Sequence, residues 1–114
     1  MEVALKAIAE SRRRQILRLV RDGEMSAGDI ASHFDVTRSA VSQHLRVLKD
    51  AGLLNERREG TRRIYRIRPE GMDDLRAFIG EFWDDGLAML KRVAEAEEGR
   101  RLAGADRANR HEHA

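Results

Sequence analysis

Five side chains suited to nucleic-acid recognition lie close together near the middle of the chain. All are forked donors or short polar groups, and a helical period places them on one face: Arg38, Ser39, Ser42, Gln43 and Arg46. Arginine and glutamine can form paired hydrogen bonds with guanine and adenine edges in the DNA major groove. A solvated helix face would give the same pattern, so the flanking residues must decide between the two explanations.

Two short helices are predicted to position this face. Ser26 caps the first helix, with Asp29 three residues later as in a capping box. Thr37 caps the second helix, which ends at Gly52 and carries an apolar stripe of Val41, Leu45 and Leu48. The turn over 34–36 is too short to let the two helices run antiparallel. The pattern predicts a helix-turn-helix, with Thr37 and the polar face directed toward DNA.

An arginine-rich β-hairpin is predicted directly after these helices. Leu53 begins one strand, Gly60 lies in a tight turn over 59–62, and the return strand covers 62–67. Arginines occupy the tip and the edges: Arg57, Arg58, Arg62, Arg63, Arg66 and Arg68. Charge can also protect an exposed strand edge from aggregation, but that role rarely needs so many arginines. The hairpin is therefore predicted to be a wing. Most phosphate contacts are expected from its residues Arg57, Arg58, Arg62 and Arg63, together with Arg46 of the preceding helix.

The other segments predict three more helices. A short helix covers 2–9, and Ser11 caps another over 12–22 with arginines on its outer face. Those arginines are either solvated or close to phosphate. The last helix runs over 70–98 and has apolar residues at spacings of three and four.

The predicted fold is mainly α with a small β-hairpin wing, an α/β winged helix-turn-helix. A single domain over 1–98 is followed by a disordered polar tail over 99–114. The apolar stripe of the last helix is wider than so small a domain can bury, which predicts a symmetric dimer. The candidate interface residues, not divided between the interface and the domain's own core, are Leu5, Ile8, Phe78, Phe82 and Trp83.

Charge and composition narrow the classes of function. Positions 1–68 hold 15 Lys and Arg against 9 Asp and Glu, whereas positions 69–114 hold 7 against 11, so the first part favours an anionic partner. Cysteine is absent, and no Ser–His–acid set or phosphate loop favours an enzyme. No apolar run approaches the length of a membrane span and no export signal is present, so we expect a cytoplasmic protein without a membrane partner.

The run SAVSQHLRVLKDAGLL, followed by the wing segment REGTRRIYRI, resembles the ArsR/SmtB family of bacterial winged-helix repressors. The resemblance covers roughly residues 3–97. It implies a homodimer built from the first and last helices, and a recognition helix over 38–51 that binds a palindromic operator. His44 stands where this family usually has histidine, which implies a packing role or a DNA contact.

The residues that bind metals in sensors of that family are missing. Metal sensors carry a segment of the form ELCVCDL, whereas this chain has EMSAGDI, with Ser26 and Gly28 at the cysteine positions. Zinc sensors of another type carry histidines along the last helix, where this chain has none. His33 is isolated, His44 belongs to the recognition helix, and the tail holds His111 and His113. We therefore expect neither a metal site nor a cofactor.

The predicted function is transcriptional repression by a homodimer that binds a palindromic operator and does not respond to metals. An architectural or non-specific DNA-binding protein, in which the arginines dominate, is the alternative. The predicted partners are double-stranded DNA and a second copy of the chain. The existence of an organic effector or a protein partner is left open.

Overall fold

A computed structural model of the chain describes residues 1–103. Its elements in chain order are α1 (Glu2–Ile8), α2 (Ser11–Val20), β1 (Met25–Ser26), α3 (Ala27–Ala31), α4 (Arg38–Asp50), β2 (Leu54–Glu59), β3 (Arg62–Ile67) and α5 (Pro69–Ala103). The chain divides into two units, of which the first covers residues 1–78 and the second begins at Ile79. The first unit contains the helix-turn-helix and the hairpin, and the described part of the second is the continuation of α5.

The two helices of the helix-turn-helix begin at the predicted caps. Ser26 Oγ accepts a hydrogen bond from the backbone N–H of Asp29 at 3.1 Å. Thr37 Oγ1 accepts one from the backbone N–H of Ala40 at 3.0 Å. Each bond satisfies a donor that the first helical turn leaves free, and is worth about 1 kcal/mol. Both predicted caps are confirmed.

The prediction for α2 was wrong at both ends. Its cap is the carboxylate of Glu10, which accepts from the backbone N–H of Arg12 at 2.8 Å, and Ser11 is the first helical residue. A carboxylate makes the same bond as a serine hydroxyl and adds negative charge at the positive end of the helix dipole. The helix ends at Val20, two residues before the predicted end at Asp22.

The wing hairpin, β2 and β3, belongs to a three-stranded antiparallel sheet in the order β1-β3-β2. β2 and β3 pair along their full lengths, as the sequence predicted. The short strand β1 was not predicted, and it pairs with Ile64 and Tyr65 of β3. With a strand on each side, β3 is central. Ile64 and Tyr65 are both buried although they point to opposite faces of the sheet.

One hydrophobic core joins the elements of the first unit. Its largest fully buried side chains are Ile16, Val20, Ile30, Val41, Leu45, Leu48, Leu53 and Leu54. Burial of each of these side chains contributes roughly 1.5–3 kcal/mol to stability. Because α4 directs its apolar stripe into this core, its polar face is directed outward.

α5 is longer than predicted. It continues without a break through Gly86 and extends past position 98 to Ala103, so residues 99–103 are helical and not part of a disordered tail. Two ion pairs at i,i+3 spacing, Arg100 with Glu97 and Arg101 with Glu98, stabilise this last stretch, and both arginines match the helix dipole. The rest of the predicted tail, 104–114, lies outside the described residues. Within residues 1–103, every helix is too short or too polar to cross a membrane.

Candidate nucleic-acid interface

The outer face of α4 and its N-cap residue carry six of the predicted DNA-contacting residues in exposed positions. They are held there by the buried stripe on the opposite side of the same helix. The exposed residues are Thr37, Arg38, Ser39, Ser42, Gln43 and Arg46. Their donors and acceptors are therefore available to a ligand that approaches this face.

His44 lies on a different side of α4. It is half-buried, and its Nδ1 is 3.3 Å from Nη1 of Arg13 on α2. Burial lowers the pKa of His44, and the charge of Arg13 lowers it further against the opposing effect of Glu10. The structure therefore places His44 in a packing position between α2 and α4, away from the exposed face to which the DNA contacts were assigned.

The hairpin arginines divide between the two faces of the sheet. Arg58 and Arg63 are cross-strand partners, and they share a face with the Glu56–Tyr65 pair because side chains alternate along a strand. The other cross-strand pairs lie on the reverse face: Arg57 with Ile64, Glu59 with Arg62, and Asn55 with Arg66. Strand alternation thus separates Arg58 and Arg63 from Arg57 and Arg66, whereas Arg62 and Arg63 line one groove beside the hairpin turn.

Arg57 is held by two carboxylates of its own chain. Its guanidinium forms a bidentate ion pair with Glu24, in which Nη2 donates to Oε1 at 2.8 Å and Nη1 donates to Oε2. Nη2 also lies 3.1 Å from Oε2 of Glu59. The Glu24 contact is the main cause of a raised pKa for Arg57, and the same contact lowers the pKa of Glu24. The phosphate contact of Arg57 stays a prediction, and in this structure both of its terminal nitrogens contact carboxylates.

A groove lies between α4 and the face of the sheet that carries Tyr65. The residues that line it are Ala27, Ser39, Ser42, Gln43, Arg46, Lys49, Glu56, Arg63 and Tyr65. Lys49, Glu56 and Tyr65 were not predicted from the sequence to be part of the site. Lys49 follows Ser42 by seven residues and Arg46 by three, so helical periodicity could have placed it on the same face. Glu56 and Tyr65 become neighbours only through the strand register.

Glu56 is the one carboxylate among the residues that line this groove. The hydroxyl of Tyr65 donates to its Oε2 at 2.7 Å, and Nζ of Lys49 donates to its Oε1 at 3.3 Å. Nη1 of Arg63 lies 3.7 Å from Oε2. The Tyr65 hydrogen bond and then Lys49 lower the pKa of Glu56, while burial raises the pKa of Tyr65 to about 12. Around neutral pH the pair is therefore a carboxylate and a neutral phenol.

A second groove opens beside the start of α4. Arg38 lies over Gly28, where an added Cβ would be 3.5 Å from its Nη2, and Arg62 and Thr61 from the hairpin turn line the same groove. Nη2 of Arg62 is 4.0 Å from Oδ2 of Asp29, the longest ion pair of the hairpin. Exposed pairs of this length contribute little to stability, so Arg62 can exchange its partner for a phosphate.

The residues predicted to form a dimer interface differ in exposure. Leu5 and Ile8 are half-buried and pack against the core of the first unit. Phe78 is also half-buried, whereas Phe82 and Trp83 of the second unit are 63% and 66% exposed. The structure thus assigns part of the predicted set to the domain's own core and leaves two aromatic side chains on the surface.

Within residues 1–103, no three His, Asp or Glu side chains come together as a metal site. His33 is exposed, and its Nδ1 is 2.9 Å from the carbonyl oxygen of Asp29. His111 and His113 lie outside the described residues.

Residues 10–56 match the profile of the family described as "Bacterial regulatory protein, arsR family". The HTH-type transcriptional regulator Rv2034 of Mycobacterium tuberculosis is 38% identical over 94 residues, which are 82% of this chain and 88% of that protein. The chain belongs to the ArsR family. The transcriptional repressor SdpR of Bacillus subtilis, another similar protein, is 38% identical over 86 residues, 75% of this chain and 96% of the repressor.

A solved structure agrees with this assignment. It is the solution structure of a "homodimeric winged helix-turn-helix DNA-binding domain" from Mycobacterium bovis, which is 38% identical in sequence. The matched region is 74% of this chain and 78% of that chain, and the TM-score is 0.60. The predicted family and the predicted winged helix-turn-helix fold are both confirmed. Like its relatives, this ArsR-family chain has the architecture of a DNA-binding transcriptional regulator.

Proposed function

We propose that this ArsR-family protein is a sequence-specific transcriptional repressor that binds a palindromic operator as a homodimer. The observation that carries the proposal is the exposed polar face of α4, where Arg38, Ser42 and Gln43 project away from the buried stripe of the same helix. These are the side-chain types that form specific contacts with base edges in the major groove. The name of the similar repressor SdpR supports repression as the outcome of binding.

The hairpin supplies the contacts that position the protein on DNA. Arg58 and Arg62 are exposed, and within residues 1–103 the ion pair of Arg62 is a long one, 4.0 Å to Asp29. Such arginines suit phosphate, which fixes orientation without selecting sequence. In this proposal α4 selects the sequence and the hairpin adds affinity.

Substitutions in the two elements should have different effects. Replacing Arg38 or Gln43 by Ala should cost about 1–3 kcal/mol on the operator and relax base preference. Replacing Arg62 by Ala should weaken binding to all DNA alike and lower the salt slope by about 1. Footprinting on the DNA upstream of the coding region identifies the operator, and titrations on operator variants then measure both effects. If Arg62→Ala alters base preference while the α4 variants do not, the two roles are reversed.

We propose that metals do not control binding. Release by zinc, copper or arsenic needs three or four thiolate or imidazole ligands at fixed geometry, and the chain has no cysteine and only 4 histidines. His44 is engaged with Arg13, which leaves His33 as the only other histidine among residues 1–103. Titration of operator binding with Zn²⁺, Cu⁺ and As(III) should leave the affinity unchanged. A shift of about tenfold, or 1.4 kcal/mol, would contradict this proposal.

A further inference from the structure

The carboxylate of Glu56 lies in the groove that, on the proposed function, faces DNA. A negative charge there repels phosphate, and the same carboxylate contacts the two cationic side chains Lys49 and Arg63 at 3.3 and 3.7 Å. Base-contacting candidates on α4, Ser42 and Gln43, line the same groove. Glu56 thus pairs with two cations of the groove that would otherwise attract the phosphates of DNA.

The position of this charge is fixed. Tyr65 is 4% exposed, belongs to the core, and donates its hydroxyl proton to Glu56 at 2.7 Å. The Glu56 side chain is itself only 21% exposed. The hydrogen bond from a core tyrosine favours this position of the carboxylate by about 1.5–3 kcal/mol, so its effect on Lys49 and Arg63 persists in a loosely bound complex.

We propose that Glu56 is a specificity-determining positioning residue: it withholds Lys49 and Arg63 from the phosphates of non-operator DNA. The inference rests on the proposed function and adds a mechanism for selectivity to it. Non-specific affinity comes almost entirely from cations that neutralise phosphates and release counterions. Holding two such cations lowers affinity in a loosely bound complex on any sequence. On the operator, the contacts of α4 with the bases hold the phosphates close enough to draw Lys49 and Arg63 away from Glu56, so the loss of affinity is smaller there.

Replacement of Glu56 by Gln tests this role. The amide is nearly isosteric and its oxygen still accepts from Tyr65, but it no longer holds Lys49 and Arg63 by charge. On a random duplex, affinity should rise and the slope of log K against log salt should steepen by about 1–2. The ratio of operator affinity to random affinity should fall several-fold. Unchanged slope and ratio in a folded Glu56→Gln protein would overturn the proposal.

Glu59→Gln is the matched control. It removes the same charge from the same strand, but Glu59 lies on the reverse face of the hairpin, and its partner Arg57 remains bound to Glu24. The slope should therefore change much less in Glu59→Gln than in Glu56→Gln. Equal changes in the two variants would mean that net charge alone is responsible, and would also overturn the proposal.

Lys49→Gln gives a test that does not depend on the stability of the Glu56 variant. In the wild-type protein this substitution should reduce the slope on random DNA by much less than the ~0.9 expected for a lost phosphate contact. In the Glu56→Gln background it should remove about that amount, a coupling that a double-mutant cycle measures. A full loss in the wild-type protein would show that Glu56 does not withhold Lys49. A wild-type protein without any operator preference would instead overturn the proposed function, and this inference with it.

Discussion

Two arginines at the start of α2 connect this helix to α1 by hydrogen bonds. Nε of Arg13 donates to the carbonyl oxygen of Ala7 at 2.6 Å, and Nη1 of Arg14 donates to that of Ile8 at 2.8 Å. These carbonyls belong to the last turn of α1, where helical partners are missing and positive charge is favourable. From the sequence, these arginines were predicted to be either solvated or close to phosphate. The structural role of Arg13 and Arg14 could not be predicted from the sequence, because their contacts depend on the angle between α1 and α2.

Arg13 also connects α1 to the recognition helix through His44. Because the guanidinium can only donate, Nδ1 of His44 must accept, and the ring is then the neutral tautomer with its proton on Nε2. Protonation of His44 would place two cations in contact. This arrangement makes the stability of the first unit depend on pH.

We expect the free energy of unfolding to fall as the pH drops below the ordinary histidine value of 6.5. The pKa of His44 is lowered in the folded protein, so the unfolded chain binds this proton first and its contribution to stability is lost toward acid pH. Urea unfolding at about pH 7.5 and about pH 5.5 measures the difference. It should shrink in His44→Gln and remain in the control His33→Gln. An equal difference in wild type and His44→Gln would show that His44 is not the group responsible.

At the scale of elements, the start of α5 meets the turn after α4 through backbone atoms. A Cβ at Gly71, in the first turns of α5, would lie 1.9 Å from the carbonyl oxygen of Gly52, the residue with φ of 79° just after α4. Nη1 of Arg68 is 3.3 Å from the same oxygen. The start of α5 can approach Gly52 this closely only because position 71 lacks a side chain.

Gly71→Ala should therefore destabilise the protein by about 3 kcal/mol, because the clash is with backbone and no side chain can move aside. Gly80→Ala is the matched control in the same helix. Among residues 1–103, no atom outside the adjoining helix backbone lies within 4 Å of a Cβ at Gly80, so this change should be neutral or stabilising by up to about 1 kcal/mol. Thermal unfolding of both variants checks the pair. Similar melting temperatures for the two would contradict the close approach of Gly71 to Gly52.

Local signals predicted the elements well, and pairing between distant positions explains what was missed. The hairpin could be predicted because Gly60 and the alternating strands lie within a single short segment. Strand β1 has only two residues, and it exists because it covers the free edge of β3. The ion pair of Arg57 with Glu24 joins positions 33 apart, which no local pattern shows. The predicted role of Arg57 therefore did not include its partner Glu24.

At the scale of the whole molecule, family and fold could be predicted because the recognition helix and the wing carry the family's pattern in one continuous run. Assembly could not be predicted in detail. Leu5 and Ile8 prove to pack against the core of their own unit, whereas Trp83 is largely exposed. An apolar stripe in a sequence indicates burial but does not say which surface buries it.

We expect the exposed aromatic residues of α5 to be covered by a second copy of the chain. Two recognition helices must be held about 34 Å apart to occupy successive major grooves. Trp83→Asp would place an unpaired charge in the dimer seam, and should dissociate the dimer and weaken operator binding. Glu81→Gln, an exposed change nearby in sequence, is the control. Sedimentation and operator titration measure both effects, and a monomeric Trp83→Asp protein with full operator affinity would remove dimerisation from the mechanism.

The central claim is that contacts between α4 and bases give this protein its selectivity. The most direct measurement compares the affinities of the wild-type protein for the footprinted operator and for a random duplex of equal length, at about 50 and about 200 mM salt. The operator should be preferred by about 10³-fold or more. The preference should persist at the higher salt because contacts with bases release few counterions. Equal affinities for the two duplexes, falling together as salt rises, would contradict sequence-specific binding and favour the non-specific alternative.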